Sequence, residues 1–444
     1  MSPAGHDHHH HAPGGKLPVL PGARRLTLLL LVPAVLITIV GMMLLWPRDA
    51  PRAAAGEDGP SRVFGQITSM APVECPPVPE DDIPLENCGT LTVRLTSGDA
   101  EGTEITTDLP NGPGAPRVET GDDVVLLALN NEGSTSYSVM DHQRSRQLWL
   151  LGAAFALAIV AFGRWRGVTA LAGLAVTFGI LLWFIVPAIL DGRSPVAVAV
   201  VGAAAIMLVV LYLTHGFSPT TTVAVAGTLA SLAITAVLAA VATAVVHLTG
   251  VADETSNFLT ITQGEVNMQG LLLAGIVIGS LGVLDDVTVT QSATVTELAV
   301  ANPAYGFRRL YGAATRIGRA HIASVINTIV LAYAGASLPL MLLFAAGNTP
   351  VGELLTSQLI AQELVRSAVG TIGLVAAVPI TTALAAYLAA RSVRPAPATV
   401  AGGGLAGRAG REGPGGAAPA GEGERRPPED PWAAFVDRDT APGR

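Results

Sequence analysis

Apolar residues gather in eight long runs, at about 26–46, 147–163, 168–190, 195–214, 222–248, 270–291, 321–346 and 366–390, and polar segments separate them. Helical rise is 1.5 Å per residue, so a run of about 20 residues covers the roughly 30 Å of hydrocarbon in a bilayer. Each run therefore predicts a membrane-spanning helix. The first, Leu26 to Trp46, follows Arg24 and Arg25 and is longer than the apolar core of a cleaved signal peptide. It predicts a retained anchor, and the Ala53-Ala54-Ala55 run leaves cleavage as the alternative. Residues 47–146 are too polar for a span and too long for a loop. Their alternating segments, such as Leu91-Thr92-Val93-Arg94-Leu95, and the short apolar run from Asp123 to Leu129 predict a small β domain. Residues 1–23 and 392–444 lack periodicity and are rich in Gly and Pro, the signature of disordered ends. The expected fold class is mainly α: a polytopic membrane helix bundle of about eight transmembrane helices, with an extracytoplasmic β domain between helices 1 and 2 and seven helices within 147–391.

Composition agrees. Half of the 444 residues are hydrophobic and 14% are charged, against roughly 25% charged in soluble domains. The net charge of -8 leaves no basic surface for phosphates, so nucleic acid is not an expected partner. Arginines set the orientation. Threading the spans from a cytoplasmic N-terminus places Arg164, Arg166, Arg308, Arg309, Arg316, Arg319, Arg391 and Arg394 on the cytoplasmic side, as the positive-inside rule requires. The β domain then lies in an oxidising compartment. Its Cys75 and Cys88, the two cysteines of the chain, are expected to form a disulfide, with two free thiols as the alternative. The histidines at 6 and 8–11 form a tract that a metal could bind, but a disordered tail or an appended tag is the expectation, and no metal or cofactor is expected.

The chemistry gathers in the sixth run. Asp285 and Asp286 are adjacent acids in an otherwise apolar helix, where one charge costs at least about 2.5–3.5 kcal/mol. Gly275, Gly279, Gly282 and Asp286 follow one another at four, three and four residues, so they share a face that another helix can approach closely. Asp286 is expected to point into the bundle, Asp285 to lie about 100° away nearer water, and Glu297 to continue the Asp286 line past Thr290. Neighbouring carboxylates in a dry site repel, an arrangement suited to proton-coupled movement. A helix-tying hydrogen bond is the plainer role for Asp286. In the seventh run His321, Ser324 and Thr328 share a face beside Asn327, and depth counting expects Asn327 to meet Asp286. In the eighth, Glu363, Arg366, Gly370 and Gly373 share a face. Arg366 is expected to pair with Glu363 and to lie too far from Asp286 to be its counter-ion. Pro187, Pro339 and Pro379 interrupt spans and free backbone carbonyls.

From about Asp58 to Arg391 the chain resembles the YibE/F-like membrane protein family. The segment Gly270 to Glu297 carries the resemblance most specifically, with Asp286 at the family's intramembrane Asp and Asp285 where many relatives carry an apolar residue. Asn302-Pro303, Asn327-Thr328, Ala332-Tyr333, Gly335, Glu363 and Pro379 match further, as do Gly121-Asp122 and Tyr137 to Arg144 in the outer domain. The resemblance implies the architecture and leaves the activity open. Three readings follow. The first is a transporter or channel-like permease for an unknown small solute or ion, with Asp285, Asp286, Asn327 and Thr328 along its pathway and Glu297 at the mouth. The second is an envelope sensor or scaffold whose β domain binds a ligand or partner. The third, an enzyme acting on lipid through Asp285, Asp286 and His321, lacks a recognisable nucleophile or metal set. Beyond the lipid bilayer, an envelope partner and a homo-oligomer are the interactions such a chain admits.

Overall fold

The computed structural model of the chain describes residues 21–48, 61–76, 87–112, 114–131, 134–264, 266–347 and 350–392. The histidine tract, most of the N-terminal segment and the tail beyond Ser392 lie outside the described residues. Helix α1, Pro21–Leu45, starts a few residues before the expected span.

Five antiparallel strands follow: β1 Ser61–Val73, β2 Cys88–Leu95, β3 Glu104–Asp108, β4 Asp123–Asn131 and β5 Ser134–His142, in the order β3-β2-β1-β4-β5. Alternation dictates which side is dry. Val63 and Ile67 of β1, Leu91, Val93 and Leu95 of β2, and Val124, Leu126 and Ala128 of β4 all turn to one face and form a separate core. The long strand β1 pairs with both β2 and β4, and a register shift between Ile67 and Ser69 bends it. The Thr107 hydroxyl donates to the Tyr137 carbonyl, joining β3 to β5. The strand order and this contact curl the sheet into a small half-barrel. Arg144, just past β5, pairs with Asp141 at 2.5 Å and holds its carboxyl below the usual carboxylate range.

Cys75 and Cys88 are bonded, with their Cα atoms 5.2 Å apart, and the cross-link closes the β1–β2 connection where Val73 pairs with Cys88. A loop of this size stabilises by about 3 kcal/mol through the unfolded chain. Replacing Cys88 with serine is expected to cost the β domain about 2–5 kcal/mol. The check is its melting transition in detergent, which reductant should lower equally in the wild type.

The remaining helices are α2 Ser145–Gly163, α3 Trp165–Ile180, α4 Val186–Leu190, α5 Pro195–His215, α6 Pro219–Val245, α7 Glu254–Thr262, α8 Met268–Ala301, α9 Phe307–Ala336, α10 Leu338–Ala346, α11 Val351–Thr356 and α12 Gln358–Ser392. A π-helical turn, Leu181–Ile185, joins α3 to α4, which carries Pro187 in its first turn. Among the described residues, eight helices are long and apolar enough to cross a membrane: α1, α2, the α3–α4 unit, α5, α6, α8, α9 and α12. Asp253 caps the short helix α7 and accepts from the Ser256 N–H, which holds its carboxyl low.

Three spans differ by eight residues or more from their apolar runs, and the eighth begins at Gln358, not near 366. The seventh begins at Phe307, not near 321, because Leu310, Ala314, Gly318 and Ile322 bury one face at four-residue spacing while Arg316 and Arg319 stay outside. Hydropathy averaging hides such a two-faced stretch. It also ends at Ala336: Pro339, which lacks an N–H, sits in the first turn of a separate helix. The sixth span continues to Ala301, so Glu297 is helical.

Candidate functional site

The centre of the bundle is the junction of α6, α8 and α12. α6 and α12 run antiparallel, and glycines let them touch. A Cβ at Gly373 would collide with the Thr235 hydroxyl, and one at Gly227 with that of Thr381. α6 and α8 are tied by hydroxyls: Thr228 and Thr288 lie 2.6 Å apart, Thr220 and Thr296 lie 3.2 Å apart, and Ser292 donates to the Thr220 carbonyl at 2.8 Å.

These contacts belong to a polar seam that runs the length of the three helices. On α6 it comprises Thr221, Thr228, Ser231, Thr235 and Thr243; on α8, Ser280, Thr288, Gln291 and Ser292; on α12, Gln362, Thr381 and Thr382, all buried. From Thr221 to Thr243 the α6 file covers about 33 Å, close to the hydrocarbon thickness of a bilayer. Ordinary Ser and Thr residues in such helices return their hydrogen to the preceding turn, as Thr228 and Thr235 do. Several seam groups do not. The hydroxyl oxygens of Ser231, Thr243, Thr381 and Thr382 and the Gln362 amide nitrogen are buried without a hydrogen-bond partner among the described residues. Buried polar atoms are seldom left so. Gln291 closes the seam towards α9: its amide donates to the Ala314 carbonyl at 2.8 Å, and its oxygen packs against Gly318 beside Val378. Pro379 interrupts the α12 ladder at this level.

The two acids separate, in the reverse of the expected sense. Asp286 is exposed, and with Gly279, Gly282, Thr290 and Glu297 it forms a line on the side of α8 facing away from the core. The expectation that Asp286 points into the bundle is thus overturned. The glycine stripe faces outward because the large apolar residues Ile276, Leu281, Leu284 and Val287 claim the inward face. Asp285 is the half-buried acid. It sits on the α6-facing side, one turn from Thr288, whose hydroxyl donates to the Asp285 carbonyl at 3.1 Å. Its Oδ1 is buried with no hydrogen-bond partner among the described residues.

Asn327 and Thr328 do not join this site. Both are exposed, and Asn327 lies on the far side of α9 from the face formed by Leu310, Ala314, Gly318 and Ile322. The Gln291–Ala314 contact sets the register of the antiparallel pair. It places Asn327 at about the level of Ile278, some 12 Å along α8 from Asp286, so the expected meeting does not occur. His321 is half-buried and Ser324 exposed. Of the stripe, Gly275 and Gly282 meet no atom within 4 Å of a Cβ position, and Gly279 meets only the Tyr333 hydroxyl, at 3.8 Å. Glu363 and Arg366 pair at 3.5 Å, and Arg366 stays away from Asp286. Gly370 has open space at its Cβ position. Among the described residues no group of three His, Cys, Asp or Glu side chains comes together to hold a metal ion.

The α6 seam is inconspicuous in the sequence because threonine lowers a window-averaged hydropathy only slightly. The signal was present in the recurrence of Thr221, Thr228, Ser231 and Thr235 at seven, three and four residues, one face of a helix.

Eight long apolar helices and a buried polar seam at their centre define a polytopic helical membrane protein. A family model described as YibE/F-like protein matches residues 151–391. That is more than half of the chain and all of the seam, and the chain belongs to the YibE/F-like family. No curated protein and no solved structure matches it.

Proposed function

We propose that the chain is a permease of the cell membrane, which moves a small polar solute or ion along the α6–α8–α12 seam and couples that movement to protons through Asp285. The observation that carries this reading is the set of buried hydroxyls of Ser231, Thr243, Thr381 and Thr382 that lack partners among the described residues, along a file as long as the bilayer is thick. Polar atoms cost free energy in a dry interior unless something pairs with them, and a moving solute is such a partner. Pro379 and the glycine contacts give α12 a place to bend and a close seat to return to.

The arginine-bearing ends of the helices, with Arg164, Arg308 and Arg391, are taken as cytoplasmic. Asp285 then lies in the cytoplasmic third, about 26 Å along α8 from Met268. Both termini are cytoplasmic and the β domain is outside. Glu297 stands beyond the hydrocarbon on the cytoplasmic extension of α8. Asn327 and Thr328 are left out of the pathway, since both are exposed on α9 and outside the seam.

The test uses purified protein in proteoliposomes with a pH-sensitive dye inside and a pool of candidate solutes outside. Asp285→Asn is expected to reduce solute-driven proton movement at least tenfold, and Asp286→Asn to leave it within about twofold. Equal flux in Asp285→Asn and wild type would refute the coupling.

One feature favours a second reading. Thr235 against Gly373 and Thr381 against Gly227 fit so tightly that the seam also suits a rigid anchor for the β domain, which has its own core. As an anchor, the bundle would pass no solute in any variant.

A further inference from the structure

The outward line on α8 raises a problem that the single chain does not solve. Asp286 lies about 27 Å along a 34-residue helix, within the hydrocarbon for any placement of the span that keeps Met268 near one boundary. It is exposed and makes no hydrogen bond or ion pair with any described residue. Gly279 and Gly282 are exposed on the same line, and Gly275 and Gly282 have empty space where a Cβ would stand. Lipid tails cannot solvate a carboxylate, and acids inside a membrane face a protein or water rather than acyl chains.

The neighbouring helix carries the opposite charge. Anchored by Gln291 at Ala314, antiparallel α9 brings Arg319 to the level of Asp286 and Arg316 about three residues nearer the cytoplasmic end. Both arginines are exposed, and neither makes an ion pair with a described residue. Further along, α9 presents Ala320, Ser324 and Asn327 outward, again small or polar. α8 and α9 therefore expose an unpaired acid and unpaired bases at matching depth, beside glycines with room for a close approach. A patch that carries both charges on adjacent parallel lines is complementary to itself when turned about a two-fold axis.

We propose that this α8–α9 face is the interface of a homodimer, in which the Gly275–Gly279–Gly282 stripe packs against a second copy of the chain and Asp286 pairs across the seam with Arg319 of the partner subunit. Small residues at four- and three-residue spacing are the kind of surface on which membrane helices associate, because they bring backbones close enough for packing to act without a hydrophobic drive. Pairing removes the exposed charge from lipid, and the two-fold axis repeats it on both sides. Dimerisation here and transport through the α6–α8–α12 seam are independent, and either can fail alone.

The experiment is disulfide trapping of the full-length protein in isolated membranes. Gly282→Cys adds a thiol where nothing lies within 4 Å, so the fold is undisturbed, and Phe162→Cys, on a fully exposed part of α2, controls for random collision. Mild oxidation is expected to convert most of the Gly282→Cys protein to a species of twice the 45.3 kDa chain mass, at least tenfold more than Phe162→Cys. Asp286→Arg should reduce trapping at position 282 severalfold, and adding Arg319→Asp should restore it. Native mass spectrometry of the wild type should show two chains. Trapping no better than the control, a monomer in native mass spectrometry, or a cross-link to a protein of different mass would overturn the proposal. Failure of the Arg319→Asp rescue while trapping persists would overturn the ion pair.

Discussion

Gly373→Leu is expected to lower the stability of the bundle more than any other single substitution at a glycine of α12. Its Cβ alone would collide with the hydroxyl of Thr235, and three further carbons would have to enter the same space. Thr235 is fully buried and donates to the Ser231 carbonyl at 2.9 Å, so it has no free direction in which to move. Overpacking of a tight core costs about 1–3 kcal/mol and occasionally more, and a leucine here belongs at the upper end. Gly370, one turn away with open space at its Cβ position, is the internal control, and Gly370→Ala should be nearly neutral. Thermal unfolding in detergent checks both. A compensating pair distinguishes contact from helix propensity: Gly373→Ala should regain most of its loss when combined with Thr235→Ala, because the colliding hydroxyl is then gone.

Architecture was legible from the pattern of apolar runs. Eight runs long enough to span a bilayer correspond to eight helices, and the alternation around Leu91, Val93 and Leu95 corresponds to a strand that packs its odd positions inward. Each of these signals is a local period, and locality is why it can be read without a structure. What the runs could not convey is which helix stands against which face. The spacing of Gly275, Gly279, Gly282 and Asp286 correctly puts them on one line, but a shared line does not say whether a neighbour covers it. In this chain the neighbours of α8 are drawn to Leu281, Leu284 and Val287, so the glycines are left outside and Asp285, not Asp286, turns towards α6. The pairing of Asn327 with Asp286 failed for a related reason. The end of an apolar run does not mark depth here, because α9 begins well before that run and its register is set by Gln291 and Ala314. The α6 seam was legible in principle, from the periodicity of its threonines, once polarity is sought within spans rather than averaged over them.

Whether the α6–α8–α12 seam opens to water during the working cycle separates a permease from an anchor, and this can be tested without knowing the substrate. Ser231 is buried mid-seam, its hydroxyl without a partner among the described residues, and Leu232 is its equally buried neighbour. Cysteine is close to serine in size, so Ser231→Cys keeps the packing, and the native pair Cys75–Cys88 is already bonded. The most direct measurement is the rate at which a small, charged, membrane-impermeant thiol reagent modifies Ser231→Cys in sealed vesicles, with Leu232→Cys as the reference. If the seam is a pathway, Ser231→Cys reacts at least tenfold faster than Leu232→Cys, and modification stops solute-driven proton movement. If both cysteines stay equally unreactive under every gradient and solute tried, the seam is a sealed helix contact and the permease reading is contradicted.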